Sequence, residues 1–242
     1  MEREPGRVSH SSITRLMVED SGFQDYIGLL SCEVTPSLAQ VPEALAKWPS
    51  SDEPNETAFT LAWPMREGAS NQKSLYQFLN DHPERARRFG GSMQFLTKGA
   101  ALSLEHLTSG SFDWTKLDKP GSLLVDIGGG NGAVVQHLAR QTKNLQFIVQ
   151  DQPTTIVGAK AALPPDFQQR IEFMEHDFHQ PQPVTNADIY FFRWIFHNLN
   201  DTACVDILRN LLPAMRNGVR IIVFEMVLPD HPPISWSEKL QL

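Results

Sequence analysis

Residues 123–132 read Leu123-Leu124-Val125-Asp126-Ile127-Gly128-Gly129-Gly130-Asn131-Gly132. An apolar run with a carboxylate near its end is followed at once by a cluster of glycines. The pattern is typical of a buried parallel strand that stops at a tight turn, where a helix begins. Glycines let the backbone approach a bound ligand closely, and Asp126 can accept a hydrogen bond from an amine or a cation. The stretch therefore predicts a ligand site at the end of this strand.

Strand-like and helix-like segments alternate from this stretch onward. The predicted strands cover residues 122–127, 145–150, 171–175, 187–192 and 219–227, and the predicted helices cover residues 133–140, 155–162 and 202–215. Such alternation indicates an α/β fold whose parallel sheet is covered on both faces. Ligands of such sheets bind beyond the carboxyl ends of the strands.

The composition shifts at Asp118-Lys119-Pro120-Gly121, where we place a boundary between residues 1–118 and residues 119–242. The first part reads as helices and loops, with helices predicted over residues 37–47, 74–79 and 83–106. The second part holds the alternating strands and helices. The sequence thus predicts a helical region that precedes the sheet domain.

The helix predicted over residues 83–106 carries two features of interest. Phe89 and Met93 belong to an apolar stripe, a pattern more typical of a core than of a ligand site. Arg85, Arg87 and Arg88 form a basic cluster, which predicts an exposed and solvated helix face.

The overall composition excludes several classes of function. A formal net charge of -7 argues against a nucleic-acid partner. No apolar run reaches the roughly 18 residues of a membrane span, and the polar N-terminus does not resemble a signal peptide. Cys32 and Cys204 match no disulfide or metal spacing. We therefore expect a cytoplasmic protein with neither a membrane partner nor a metal site.

Two classes of cofactor fit the glycine turn. The spacing Gly128-x-Gly130-x-x-Ala133, with Asp151 further along, satisfies the dinucleotide fingerprint. However, Asp126 would lie close to a pyrophosphate, and no second mononucleotide-binding half follows. An acid suits a nucleoside ligand without a phosphate chain better, which favours S-adenosylmethionine (SAM) over NAD.

Acids also follow the next two predicted strands. Asp151 ends the second strand, where a carboxylate can accept hydrogen bonds from both ribose hydroxyls; the alternative is a helix N-cap before Pro153. Asp177 follows the third strand and can accept the adenine amino group, with Phe178 packed on the ring. These residues predict the nucleoside part of the cofactor site.

The segment after the fourth strand carries the predicted chemistry. Imidazole groups titrate near neutral pH, so His197 can accept a proton from a hydroxyl; the alternative is a buried histidine with satisfied hydrogen bonds. Glu225 lies in the apolar fifth strand, where an acid is costly to bury unless it is paired. Because strands four and five are expected to be neighbours, we predict that Glu225 contacts His197 and fixes its tautomer.

In this order the motifs resemble the plant and fungal O-methyltransferase family that includes caffeic acid, flavonoid and fungal polyketide enzymes. The resemblance extends over nearly the whole chain and rests on LVDIGGGNG (124–132), VQD (149–151), HDF (176–178), FRWIFHN (192–198) and EMVLP (225–229). It implies a class I methyltransferase fold, with a Rossmann-like sheet that binds SAM. The implied activity is methyl transfer from SAM to a hydroxyl of a small aromatic or polyketide-like secondary metabolite.

The resemblance also implies a role for each residue of the site. The implied cofactor contacts are Asp126, Gly128, Gly130, Asp151, Asp177, Phe178 and Arg193. His197 matches the catalytic base, and Glu225 matches an acid that orients it. The implied lining of the acceptor pocket comprises Phe89, Met93, Trp194 and Asn198.

The chain departs from the family pattern in three ways. Asn198 and Leu199 stand where the family has an acid and a tryptophan. We expect the family's N-terminal dimerisation and winged-helix part to be missing, which leaves homodimerisation open. We also expect its final β-hairpin to be missing, which would place the fifth strand at an exposed edge. Two alternatives therefore stay open: a SAM-binding pericyclase or dehydratase that does not methylate, and an inactive paralogue.

Overall fold

The computed structural model describes residues 2–63, 73–99, 102–110 and 112–227. A short antiparallel hairpin opens the chain, with strands β1 (Glu2–Glu4) and β2 (Arg7–Val8). This hairpin corrects the prediction that the first part contains helices and loops alone. The helices that follow are α1 (Ser12–Glu19), α2 (Ser21–Leu29), α3 (Thr35–Leu38), α4 (Val41–Lys47), α5 (Ala58–Ala62), α6 (Leu75–Asp81) and α7 (Pro83–Leu96). A π-helical segment, Leu30–Val34, links α2 to α3.

A five-stranded parallel sheet follows, as the alternating pattern predicts. Its strands are β3 (Leu123–Ile127), β4 (Gln146–Asp151), β5 (Ile171–Glu175), β6 (Ile189–Arg193) and β7 (Arg220–Phe224), in the spatial order β5-β4-β3-β6-β7. The predicted neighbours, strands four and five, are β6 and β7, and they pair in parallel. Within the described residues, β5 and β7 form the two edges.

Alternating side chains of the sheet enter two separate apolar layers. Leu124 and Phe191 face the layer that contains α8 (Ala133–Gln141) and α9 (Pro153–Ala162). Val125 and Tyr190 face the opposite layer, which contains α10 (Asp201–Leu211). All four side chains are fully buried. Burial of both faces explains why the central strands read as continuous apolar runs.

The last strand is shorter than predicted. The apolar run suggests a strand through Val227, but β7 ends at Phe224. Glu225 leaves the sheet, and its carboxylate bonds to the loop that follows β6 instead. The predicted motif residues Leu228 and Pro229, and the chain end at 238–242, lie outside the described residues.

Two predicted helices of the first part are interrupted. The helix predicted over residues 37–47 is divided between α3 and α4, because Pro42 in the first turn of α4 disfavours helical backbone before it. The helix predicted over residues 83–106 ends at Leu96, where the Thr97 hydroxyl donates to the Gln94 carbonyl at 2.7 Å. A separate 3-10 turn covers Leu104–Leu107.

The prediction of an exposed arginine face on α7 is wrong for two of the three residues. Arg85 and Arg88 both form ion pairs with Glu33, whose side chain is only 3% exposed. Arg87 is 62% exposed and pairs with Asp25 of α2. The cluster therefore fastens α7 to α2 and to the π-helical segment. Local sequence cannot reveal such partners, because they lie more than 50 residues away.

The helical region packs directly against the sheet domain. Helix α7 contacts both α2 and α9, so it lies between the N-terminal helices and the sheet domain. No helix among the described residues has both the length and the apolar character needed to cross a membrane.

Candidate active site

The carboxyl ends of the parallel strands bring the predicted residues together. Asp126 lies near the end of β3, Asp151 ends β4, and Arg193 ends β6. Asp177 and His197 lie in the loops that follow β5 and β6. Because every strand of this sheet is parallel, these positions lie together at the carboxyl-terminal end of the sheet.

The glycine turn after β3 leaves no room for a side chain at Gly128 or Gly129. Gly128 has a φ of +68°, and a Cβ there would lie 2.5 Å from Cδ1 of Ile195. A Cβ on Gly129 would lie 2.5 Å from Oδ2 of Asp126. The amides of both glycines donate to the Gln150 carbonyl of β4, at 2.8 and 3.1 Å. The turn therefore fits closely between the end of β4 and the loop after β6.

Asp126 is a buried acid that lacks a partner on one oxygen. Asp126 is only 1% exposed, and its Oδ2 has no hydrogen-bond partner among the described residues. Burial and, to a lesser extent, the charge of Asp151 raise the pKa of Asp126 to about 7, against the opposing effect of Arg193. An unsatisfied buried acceptor is costly, so the site is suited to a ligand that brings a donor or a positive charge.

Asp151 connects the glycine turn to the start of α9. Oδ2 accepts from the Gly130 amide at 2.9 Å, and Oδ1 accepts from the Gln152 amide at 2.8 Å. Burial raises the pKa of Asp151 despite these bonds. The N-cap of α9 is Gln152, so the alternative role proposed for Asp151 as the N-cap is not observed.

The loop after β5 borders the same turn. Phe178 Cε1 lies 3.7 Å from the position of a Cβ on Gly128, so its ring is adjacent to the glycine backbone. Asp177 Oδ1 accepts from the His179 amide at 3.0 Å. The structure thus places Phe178 beside the glycine turn. Asp177 lies in the same loop, where its carboxylate bonds to the backbone of that loop.

Arg193 lies between two acids of the site. The charges of Asp126 and Glu225 both favour its protonated form, but burial outweighs them and lowers the pKa of Arg193 to about 10. Its Nη2 donates to the Leu102 carbonyl at 3.2 Å, and its buried Nε has no hydrogen-bond partner within the part of the chain that the structure describes. The Trp194 ring covers the guanidinium, with 3.6 Å between Cζ and the ring centroid.

His197 and Glu225 are in contact, as the sequence analysis expected. Glu225 Oε2 lies 2.7 Å from His197 Nδ1, and Oε1 accepts from the amides of Ile195 and Phe196 at 2.7 and 3.0 Å. The His197 side chain is 41% exposed, which contradicts the alternative of a buried histidine. Since a carboxylate only accepts hydrogen bonds, Nδ1 carries the proton and Nε2 is left as the basic nitrogen.

The predicted pocket residues come from two separate places. Phe89 and Met93 lie on α7, where Phe89 packs at the margin of an aromatic cluster that contains Trp63 and Phe78. Trp194 and Asn198 lie in the loop after β6, where the Asn198 side chain donates to the Trp194 carbonyl at 3.2 Å.

Tyr76 is a residue of this region that the sequence analysis did not select. Its ring meets Phe89 edge to face, with centroids 6.0 Å apart. Burial and then the negative charge of Asp151 raise the pKa of the Tyr76 phenol, although 47% of the residue is exposed. Tyr76 therefore lies close enough to Asp151 for their charges to interact, and it stays partly exposed. Its position depends on how α6 packs, and no local motif marks it.

No group of three or more His, Cys, Asp or Glu side chains that could hold a metal ion occurs within the described ranges. Burial lowers the pKa of the His176 ring, and the backbone amide of His176 donates to the Asp151 carbonyl.

Comparisons with known proteins agree with this geometry. The sequence profile of the O-methyltransferase domain matches residues 61–241. The chain belongs to the O-methyltransferase domain family. O-methyltransferase AMT9 of Alternaria alternata is 42% identical over 94% of this chain and 51% of that protein. Chlorophenol O-methyltransferase of Trichoderma longibrachiatum is 34% identical over 99% of this chain and 51% of that protein. The chain thus spans about half the length of these family members.

Several solved structures have a similar fold. LepI in complex with SAM is 28% identical, covers 96% of this chain and 57% of that chain, and superposes with a TM-score of 0.71. A structure described as a pericyclic reaction enzyme is also 28% identical, with a TM-score of 0.72. OxaC with SAH and oxaline superposes with a TM-score of 0.79 at 23% identity, which shows the shared fold alone.

Proposed function

We propose that this chain provides the catalytic part of a SAM-dependent O-methyltransferase that acts on a hydroxyl of a small aromatic or polyketide-like secondary metabolite. The observation that carries the proposal is the His197–Glu225 pair, 2.7 Å apart. It lies at the carboxyl-terminal end of the strands, where Oδ2 of the buried Asp126 has no hydrogen-bond partner among the described residues. Membership of the O-methyltransferase domain family supports it.

The residues at the glycine turn fit SAM. The amino group of SAM is a cation with several donors, and Asp126 Oδ2 is a buried acceptor without a partner. Gly130 provides backbone that a ligand can approach, since nothing lies within 4 Å of a Cβ built on it, whereas Gly128 allows Ile195 to pack closely against the turn. Each Asp151 oxygen bonds one amide, and a carboxylate oxygen has a second lone pair for a ribose hydroxyl. Phe178 and Asp177 would then meet the adenine.

The chain's own residues provide the proton transfer. When bound, SAM supplies an electrophilic methyl group on a sulfonium centre. His197 Nε2 accepts the proton of the acceptor hydroxyl, and Glu225 holds the imidazole in the required tautomer and stabilises its protonated form. Positioning by the surrounding loops supplies much of the remaining rate, because both reactants are held on one protein surface.

The acceptor is proposed to bind between α7 and the loop after β6. Phe89, Met93 and Trp194 offer apolar and aromatic surface, and Asn198 offers an amide at the rim. Such a lining suits a flat, weakly polar molecule with few convergent polar groups. The name of the related chlorophenol O-methyltransferase supports a phenolic hydroxyl as the acceptor class.

Substitution of the base tests the proposal. Purified chain and its His197→Ala variant are titrated with SAM by calorimetry and then incubated with SAM and a panel of phenols and hydroxylated polyketides. We expect both proteins to bind SAM, and only the wild type to yield a product heavier by one CH2. Methylation by His197→Ala at the wild-type rate would contradict the assignment of the base.

A second candidate function rests on the likeness to the pericyclic reaction enzyme and on Asn198, which replaces the acid of the family pattern. In this alternative SAM provides charge and the chain catalyses an isomerisation or dehydration. The product mass separates the two functions, because an isomerisation adds no mass and a dehydration removes one water.

Homodimerisation and a cytoplasmic location also stay predictions for this chain.

A further inference from the structure

Trp194 has an unusual backbone conformation. Its φ is +57°, and it is the one non-glycine residue with a positive φ in the ranges that the structure describes. A bulky side chain in this region is a genuine outlier, and such strain persists only where the surroundings enforce it. Trp194 follows directly after β6 and precedes the loop that carries His197.

The left-handed turn determines where the next two amides point. The amides of Ile195 and Phe196 both donate to Glu225 Oε1. Two successive amides that converge on one oxygen form an anion-binding concavity of the kind that a left-handed residue creates. Because Oε1 is held by these amides, Oε2 is directed to His197 Nδ1. The backbone of Trp194 therefore contributes to the orientation of the proposed base.

The side-chain ring of Trp194 has a separate contact, with Arg193. It covers the Arg193 guanidinium at 3.6 Å, and Arg193 interacts electrostatically with Asp126 of the cofactor site as well as with Glu225. Among the described residues, Arg193 donates to the Leu102 carbonyl, and its buried Nε has no hydrogen-bond partner. The Phe224 ring is more distant, with 6.0 Å between Cζ and the ring centroid, so the Trp194 ring provides the closer cation–π contact that restrains this cation.

We propose that Trp194 is a positioning residue that links the two halves of the site: its left-handed backbone orients the Glu225–His197 pair, and its ring holds Arg193 against the cofactor site. The inference rests on the proposed function for its cofactor half. It assigns Trp194 a role through Glu225 and Arg193 in addition to the aromatic surface proposed for the acceptor pocket.

Three substitutions separate the backbone role from the role of the ring. Trp194→Gly permits the positive φ freely and removes the ring. Trp194→Val strongly disfavours the positive φ and also removes the ring. Trp194→Phe has a backbone preference like that of tryptophan and retains an aromatic face. Folding of each variant is checked by circular dichroism, and the Gly and Phe variants carry the test if Val does not fold.

The backbone role is read from the tautomer of His197, by imidazole 15N NMR on the ligand-free chain at a pH where the ring is neutral. We expect the Nδ1-protonated tautomer in the wild type and in the Gly and Phe variants, and a mixture of tautomers in Val. A wild-type tautomer in a folded Val variant would overturn the backbone role. So would a mixture in the Gly variant.

The ring role is read from the affinity for SAM, by calorimetry. Loss of the cation–π contact in the Gly variant should weaken binding by about threefold to tenfold, whereas Phe should stay within about twofold of the wild type. Equal affinity of Gly and wild type would overturn the ring role. If the wild type itself fails to bind SAM, the proposed function and the ring role fail together, and the tautomer series still tests the backbone role.

Discussion

Glu225 and His197 are joined at 2.7 Å between Oε2 and Nδ1, although 28 residues separate them in the chain. The other oxygen of the same carboxylate binds two backbone amides of the loop that carries His197. One acid therefore shapes the loop and orients the imidazole. The pair joins the end of β7 to the loop after β6. Substitutions of Glu225 can separate its effect on the loop from its effect on the imidazole.

Glu225→Gln should impair catalysis more than folding. The amide oxygen can still accept from the loop amides, but the amide nitrogen donates, so it favours the tautomer in which Nδ1 is unprotonated and Nε2 cannot act as the base. We expect kcat to fall by about 10²- to 10⁴-fold, with SAM affinity within about threefold of the wild type. Steady-state kinetics with a methylated acceptor measure this. Glu172→Gln, on an exposed position of β5, is the control, and full activity of Glu225→Gln would contradict the prediction.

Asp126→Asn should stabilise the ligand-free chain at high pH. Burial raises the pKa of Asp126 to about 7 from the ordinary 3.8, so the folded state favours the protonated form. Stability linked to this group is fully present below about pH 4 and is lost as the pH rises towards 7. We expect Asn to add about 2–4 kcal/mol to the free energy of unfolding at pH 8, and clearly less at pH 5.

Urea denaturation at both pH values measures this gain. Asp166→Asn, at an exposed surface position, is the matched control, and we expect it to change stability little at either pH. A gain for Asp126→Asn that is equal at pH 5 and pH 8 would show that ionisation is not its cause.

Binding of SAM should release a proton near neutral pH. The cationic amino group of SAM favours the ionised form of Asp126, whose pKa in the free chain is about 7. Affinity should therefore rise with pH up to about 7 and then level off. Calorimetry at pH 6.5 in phosphate and in Tris reveals the released proton as a difference in the observed enthalpy. The same enthalpy in both buffers would argue against Asp126 as the ligand of the amino group.

Loss of the Glu33 charge should destabilise the helical region. Glu33 is buried and pairs with Arg85 and Arg88, so Glu33→Gln leaves two cations without their counter-ion. We expect a loss of about 2–4 kcal/mol, somewhat below the cost of breaking a fully buried pair, because both arginines keep some exposure. Arg87→Ala removes the more exposed pair with Asp25 and should cost about 1 kcal/mol or less. Thermal and urea denaturation compare the two variants, and equal losses would contradict the burial argument.

Gly128→Ala should disturb both the glycine turn and the loop after β6. The substitution strains a residue at φ +68° and places a Cβ 2.5 Å from Ile195 Cδ1. We expect stability to fall by about 1–3 kcal/mol and SAM affinity to fall with it. Gly158→Ala is the control, since it lies in α9 with nothing within 4 Å of the new Cβ, and it should add about 0.5–1 kcal/mol. Wild-type SAM affinity in Gly128→Ala would show that the turn adapts.

Short-range pattern accounts for the success of the sheet prediction. The central strands β3, β4 and β6 each contain an apolar run, at residues 123–125, 147–149 and 189–192, and a parallel sheet buried on both faces requires such runs. The helix predictions were weaker in the N-terminal region. There Pro42 and the turn at Thr97 interrupt segments whose apolar spacing alone looks continuous, since backbone restrictions override periodicity.

The sequence by itself determined the parallel sheet, the glycine turn and the set of acids at the strand ends, because strand periodicity and turn chemistry are local properties of the chain. Only the tertiary structure decided that Arg85 and Arg88 face inward to Glu33 and that Tyr76 lies near Asp151. The same is true of the left-handed backbone of Trp194. Each of these depends on which distant segments pack against one another, and packing, burial and strain arise only when the whole chain has folded.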